Sequence, residues 1–229
     1  MLDYELYYWD LPFRGNFIQL LLEDAGVTYR KADAGELYPD RNLGLRYPGM
    51  APPYLYDSKA GVYYAQMPAI LMHLGKAHDY LPHDAEQQTL ALKVILDCND
   101  VLMEITNHNG MLMWQQEAWD EFRSQRLADW MRVFERTGED NSLTLSEGYL
   151  LGSTFSVADI ATAALFGTLV HSFPQLGRDL EANAPRIANL CRRVEARPAI
   201  RSFLERQRQA LGDGYCGGHI ERSLRDVIR

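Results

Sequence analysis

The sequence predicts two units of different class: an α/β unit of order βαβαββα over residues 1–82, then an all-α unit over 83–229. Three observations carry this. Runs rich in aromatic and β-branched residues that read as strands end by residue 65. The chain opens with strand, helix and strand at the length of a βαβ unit. Beyond the linker-like segment 75–83, with its glycine and proline, the apolar stripes all have helical spacing. At 229 residues and 47% hydrophobic content, there is enough apolar material to build a core.

In order, Tyr4-Glu5-Leu6-Tyr7-Tyr8-Trp9 is a short aromatic strand and residues 10–15 a loop. Ile18, Leu21, Leu22 and Ala25 share one helix face, and Gly26 ends that helix. Residues 27–30 form the next strand. Residues 34–50 carry three glycines and two prolines and read as irregular, with a short helix near 39–46. Pro52 and Pro53 cannot donate to a sheet ladder, so the chain enters strand 54–57 at an edge or a bend. The turn Asp57-Ser58-Lys59-Ala60-Gly61 leads to strand 62–65, and a helix over 67–76 opens at Gln66 with Pro68 in its first turn.

The second unit shows stripes at Leu90, Val94, Cys98, Val101 and Ile105, at Leu127, Trp130, Met131 and Phe134, and at Ile160, Ala161, Ala164, Leu165 and Thr168. Two more run through Ile187, Leu190, Cys191 and Val194, and through Ile200, Phe203 and Leu204. Ser156-Val157-Ala158-Asp159 reads as a capping box, a folding device rather than a catalytic one. The segment from Gly212 to Arg229 holds four glycines and reads as mainly irregular, with a short helix from 219.

A formal net charge of −8 argues against nucleic acid or an anionic membrane as the main partner. The three cysteines, Cys98, Cys191 and Cys216, are odd in number and widely spaced, which suits a reduced cytoplasm better than a disulfide framework. None lies in residues 1–97, so thioredoxin-like redox chemistry is excluded. The N-terminus lacks the regions of a signal peptide, and no apolar run approaches the roughly 18 residues of a membrane span. His108 has no metal-ligand spacing with the other histidines, so no metal is expected.

Pro53-Tyr54-Leu55, the hairpin and Gln66-Met67-Pro68-Ala69-Ile70 resemble the proline-x-leucine, hairpin, Gln-(Ser/Thr)-x-Ala-Ile pattern of the glutathione transferase family. Tyr8-Trp9-Asp10 followed by Arg14-Gly15 is similar to the N-terminus of its bacterial, tyrosine-type, mu- or sigma-like members, with about two extra loop residues. Gly152 with Ser156–Asp159, and Ala196-Arg197-Pro198, look like two motifs of its helical domain. The resemblance runs from Tyr4 to about Leu211. It implies a thioredoxin-like first unit, a cytoplasmic homodimer, glutathione as co-substrate, no metal, and a small hydrophobic electrophile as second substrate.

By the same resemblance Tyr8 is the catalytic residue, its hydroxyl favouring the glutathione thiolate. A free thiol has a pKa near 8.5, and lowering it by about 2 units takes roughly 2.7 kcal/mol. Tyr7 points to the other strand face, and Phe13 or the Arg14 backbone are the alternatives in the loop. Pro53 is the cis proline. Glutathione contacts fall on Trp9, Arg14, Arg46, Pro52, Pro53, Gln66 and Met67, with Arg41 a further nearby cation; Asp100 matches an acid that reaches the partner subunit's ligand. The second-substrate wall falls on Leu11, Phe13, His108, Met111 and Tyr215.

Two departures stand out. Met67 replaces a hydroxyl residue, and Pro52 lacks an N–H where the family pairs backbone with ligand. At about 0.5–1.5 kcal/mol per hydrogen bond, the two losses weaken glutathione binding by about one to two orders of magnitude. They motivate a second reading, an inactive transferase-fold protein that binds a protein partner.

Overall fold

The aromatic run near the N-terminus becomes an inner strand of a four-stranded sheet. The computed structural model describes residues 2–38 and 41–229, without the side chain of Arg41. The strands β1 (Tyr4–Tyr7), β2 (Tyr29–Ala32), β3 (Tyr54–Asp57) and β4 (Val62–Ala65) lie in the order β2-β1-β3-β4. β1 and β2 are parallel and joined by α1 (Arg14–Ala25), while β3 runs antiparallel to both neighbours, with Tyr7 opposite Tyr54 and Tyr54 opposite Ala65. This sheet with α1 and α2 (Met67–Ala77) is the expected thioredoxin-like arrangement.

Three details differ from the sequence reading. β1 stops at Tyr7 because the chain turns back at once, the Leu11 N–H donating to Trp9 O at 2.9 Å. β2 starts at Tyr29 because Asp3 captures Thr28, accepting its N–H at 2.8 Å and its hydroxyl at 2.6 Å. The short helix expected near 39–46 is a 3-10 helix, Arg41–Gly44, and a second one precedes it at Ala34–Glu36; Pro39 and Asp40 lie outside the described residues. Asp33 starts the first turn by accepting the Gly35 N–H at 2.7 Å.

The rest is helical. α3 (Ala85–Ile105) is capped by Asp84, which accepts the Gln87 N–H. α4 (Gln116–Phe122) and α5 (Ala128–Asp140) are linked by a π-helical turn at Arg123–Leu127. α6 (Val157–Ser172), α7 (Gly177–Asn183), α8 (Pro185–Glu195), α9 (Pro198–Leu211) and α10 (Gly218–Val227) complete it. α7 has only Leu180 buried, too short a stripe to read from sequence. No single helix among the described residues is long and apolar enough to cross a membrane.

The glycine-rich segment after residue 211 is ordered rather than mainly irregular. Glu221 accepts the N–H groups of Tyr215 and Gly217 at 2.8 and 2.7 Å and pairs with Arg225, which also bonds Asp213. Gly217 and Gly218, at φ 74° and 61°, supply the bend that turns α10 back onto the body. Leu224 and Val227 then bury the inner face of that helix.

α6 is the central element. It is buried on nearly every side and packs against α3, α8 and α1. Ser156 and Asp159 close the capping box at its start, and Asp159 also accepts the Leu150 N–H at 2.7 Å. Burial pushes the Asp159 carboxyl up to about 6, against the pull of the Leu150 and Ser156 donors. The two parts of the chain are stapled by Arg197, whose guanidinium grips Asp24 with two bonds of 2.8 Å and lies 3.9 Å over Phe155; Tyr80 donates to the same carboxylate. Replacing Asp159→Ala leaves buried donors without acceptors, and urea unfolding should show a loss of about 3 kcal/mol of stability.

Candidate active site

Tyr8 follows β1 directly and is held by its backbone, its N–H donating to Ala32 O at 3.1 Å. Its ring is 3% exposed and sits under the first turn of α1. That approach depends on Gly15, since a Cβ there would lie 2.4 Å from the Tyr8 ring. The Arg14 N–H donates to the phenol oxygen at 3.1 Å. With that oxygen accepting from the helix N-terminus, the Tyr8 O–H is left to donate elsewhere. Burial raises the phenol's pKa, opposed by the Arg14 charge and by the Arg14 and Gly15 N–H groups, so Tyr8 is a neutral donor at physiological pH. Tyr7 faces the other way, its hydroxyl donating to Glu5 at 2.8 Å.

Tyr8 opens into a cavity of about 470 Å³ between the sheet-bearing part and the helical part. Of the residues singled out from sequence, Tyr8, Trp9, Leu11, Phe13, Arg14, Pro52, Pro53, Gln66 and Met67 all line it. The Pro52–Pro53 bond is cis, on the proline expected. Gln66 sits at φ 70° just before α2, and its side chain does not cap that helix. A positive φ on a residue that is neither glycine nor asparagine is a strained conformation held by its surroundings. Gln66 and Met67 at the start of α2 both line the cavity, which makes that helix mouth a suitable seat for a carboxylate.

The other residues singled out lie elsewhere. Arg46 is exposed, stacked 5.1 Å over the Tyr47 ring. Asp100 is exposed on α3, while its neighbour Asn99 lines the cavity. His108 and Met111 are exposed, Met111 by 83%, because the chain leaves α3 through a left-handed turn, and that turn brings Asn109, itself exposed, rather than His108 to the cavity's edge. Trp114 anchors that turn from below by donating its indole N–H to Ile105 O at 2.8 Å. Tyr215 is fully buried behind Phe13, its ring 5.2 Å away edge-on, and among the described residues its hydroxyl has no hydrogen-bond partner.

The cavity also takes in residues that the sequence did not flag: Asn99, Met103, Thr106 and Asn109 from the end of α3 and its turn, Cys216 and Ile220 from the C-terminal segment, and Met50 and Ala51 before the prolines. Ile220 reaches the wall because Gly110 has no side chain; a Cβ there would lie 2.4 Å from it. The Cys216 thiol is pushed up to about 12, by burial first and then by Glu221, so it is protonated at neutral pH. Met103, two residues on from Val101 and so on the far side of the helix from the expected α3 stripe, was not signalled by it, and no motif pointed to Asn109 or Cys216.

Arg14 is the cavity's cation. Its guanidinium lies 4.9 Å over the Phe13 ring and is half-buried, and burial lowers its pKa without discharging it. A largely apolar-walled space with one phenol donor and one cation is suited to holding an anionic atom beside a hydrophobic molecule.

The family model "Glutathione S-transferase, C-terminal domain" matches residues 90–227. No curated protein matches the chain. Among solved structures, the chain is similar to a Pi-class glutathione S-transferase of Onchocerca volvulus, with a TM-score of 0.76 and 19% identity over 95% of this chain and 98% of that one. It is also similar to rat hPGDS complexed with a quinoline, with a TM-score of 0.70 and 19% identity over 89% of this chain and 96% of that one. A third similar structure, NaGST-2, has a TM-score of 0.68 and 18% identity over 90% of this chain and 97% of that one. At such identities the likeness establishes the fold.

The contact between Gly15 and Tyr8 gives a direct test of how the site is built. Gly15→Ala forces the Tyr8 ring or α1 to move, and the overpacking outweighs the gain in helix propensity. Chemical denaturation should show a net loss of about 1–2 kcal/mol.

Proposed function

The chain belongs to the glutathione S-transferase family, and from that premise we propose that it joins the sulfur of glutathione to a small apolar electrophile, with Tyr8 as the tyrosine-type catalytic residue. The observation that carries this is the buried Tyr8 phenol, whose oxygen already accepts from the Arg14 N–H and whose own hydrogen is free for the cavity. The Pro53, Gln66 and Met67 side of the cavity takes the peptide, with its γ-glutamyl carboxylate at the mouth of α2. Leu11, Phe13, Met103 and Ile220 form the apolar side for the electrophile.

In this reading Tyr8 donates its O–H to the sulfur and favours the thiolate. A charge-assisted hydrogen bond is worth about 1.5–3 kcal/mol, which covers most or all of the roughly 2.7 kcal/mol needed for a 2-unit shift. The Arg14 charge adds to it. The thiol proton goes to solvent, the sulfur's electron pair forms the new C–S bond, and the electrons of the broken bond leave with the departing group or settle on the acceptor. A cytoplasmic homodimer belongs to the same reading, as does a division near residue 82. In such a dimer the exposed Asp100 serves the ligand of the other copy.

Tyr8→Phe removes the donor and keeps the shape. The bound thiol's pKa then rises, so the rising limb of kcat/KM for chlorodinitrobenzene against pH, measured at saturating glutathione, should move about 1–2 units to higher pH. Glutathione affinity by calorimetry at about pH 6, below the bound thiol's lowered pKa, should change by less than about threefold, since one hydrogen bond to a neutral thiol is weak. An unmoved limb removes Tyr8 from the reaction. No heat of binding to the unmutated protein at millimolar glutathione favours the partner-binding reading that Pro52 and Met67 motivate.

A further inference from the structure

Arg14 is held by amides. Its Nε donates to Asn99 Oδ1 at 3.4 Å, and a terminal nitrogen donates to Asn109 Oδ1 at 2.8 Å. Among the described residues no carboxylate pairs with it, whereas Arg126, Arg186, Arg197 and Arg225 each pair with one. This is notable in a chain of net charge −8, and more so locally. Asn99 stands between Asp97 and Asp100 in the sequence, yet the amide is the residue that faces the guanidinium; Asp97 pairs with Lys93 and Asp100 is exposed.

The second amide is delivered by an unusual backbone. Asn107, His108 and Asn109 are all left-handed, at φ 48°, 59° and 56°, and Gly110 follows at 79°. A run of left-handed non-glycine residues is disfavoured, and asparagine is among the residues that bear it best. The turn places Asn109, though solvent-exposed, at the edge of the cavity wall, and leaves His108 off it.

We propose that Asn99 and Asn109 are positioning residues that fix the Arg14 guanidinium at the cavity wall without neutralising it, so that its full charge is left for a negative sulfur beside Tyr8. A carboxylate at either position would hold the arginine at least as firmly and cancel the charge it offers. The thiolate part of this inference rests on the transferase reading; the uncancelled charge does not.

Cys216 gives a readout that needs no glutathione. It lines the same cavity, while Cys98 and Cys191 are 0% and 4% exposed. The groups acting on its thiol are Glu221, Arg225, Arg14, Tyr8 and Tyr215. The experiment compares the rate of iodoacetamide alkylation of Cys216 at fixed mildly alkaline pH in Asn109→Asp and Asn109→Gly. Glycine suits the left-handed backbone and removes the clamp; aspartate keeps the clamp and adds the charge. Alkylation should be at least about threefold slower in the aspartate variant than in the glycine variant, because a carboxylate beside the arginine disfavours a thiolate nearby. A clamp that only braces the structure gives equal rates or the reverse order, and either result overturns the proposal.

The same order should appear in catalysis, with the rising limb of the pH profile about half a unit higher in Asn109→Asp than in Asn109→Gly. Asn99→Asp, read against Asn99→Ala, checks the other side of the guanidinium by both measurements. If the unmutated protein conjugates nothing while the alkylation order holds, the transferase reading falls and the uncancelled charge stands. If conjugation proceeds and the orders do not differ, the clamp falls alone.

Discussion

A helix buried on nearly every side must begin and end without stranding its polar groups, and α6 is such a helix. Its sequence, Val157 to Ser172, is mostly apolar and buried around nearly the whole circumference, with only Gly167, Val170 and His171 partly exposed, so it has no broad solvent face to turn outward. The unpaired N–H groups of its first turn are answered from within, by Ser156 and by the buried Asp159, which also reaches back to Leu150. Once that end is closed, α3, α8 and α1 can pack directly on α6. α1 and α3 are also the two helices that carry Arg14 and Asn99 to the cavity, so the site inherits its geometry from the core beneath it.

The chemistry of the cavity comes from a balance of neutral and charged groups. Tyr8 is kept neutral by burial, which makes it a donor rather than a base. Cys216 is kept neutral for the same reason, strengthened by Glu221. Arg14 alone keeps a charge, and it does so half-buried beside an aromatic ring, where the effective dielectric is lower than in water. A single oriented donor and a single fixed cation require little rearrangement when negative charge forms between them.

How much of this could be read from the residues varied with how local the determinant was. The strands at 54–57 and 62–65 are where alternation and turn chemistry put them, because a hairpin is decided within a dozen residues. The capping box at Ser156 was legible for the same reason. The helix at Gly218–Val227 was harder, since four glycines masked an amphipathic pattern that only Glu221 and Arg225 make coherent. Tyr8, Pro53 and Gln66 stood out as parts of a motif, whereas Asn109, Cys216 and Ile220 reach the cavity through bends at Gly110, Gly217 and Gly218 that follow no period. Asn99 was overshadowed by its acidic neighbour: the charge drew attention to Asp100, and helix phase put the amide inside.

The cavity wall is drawn from stretches far apart in the chain, around residues 8–14, 50–67, 99–109 and 216–220. No one of these stretches can form it alone, and the sheet-bearing and helical parts meet there. A ligand that spans both sides therefore binds the docked arrangement and nothing less complete. Its concentration then acts as a clamp on that docking: at a hundredfold excess over its dissociation constant, mass action adds about 2.7 kcal/mol to the cohesion of the whole molecule. Occupancy and structural integrity are, for this chain, two readings of the same equilibrium.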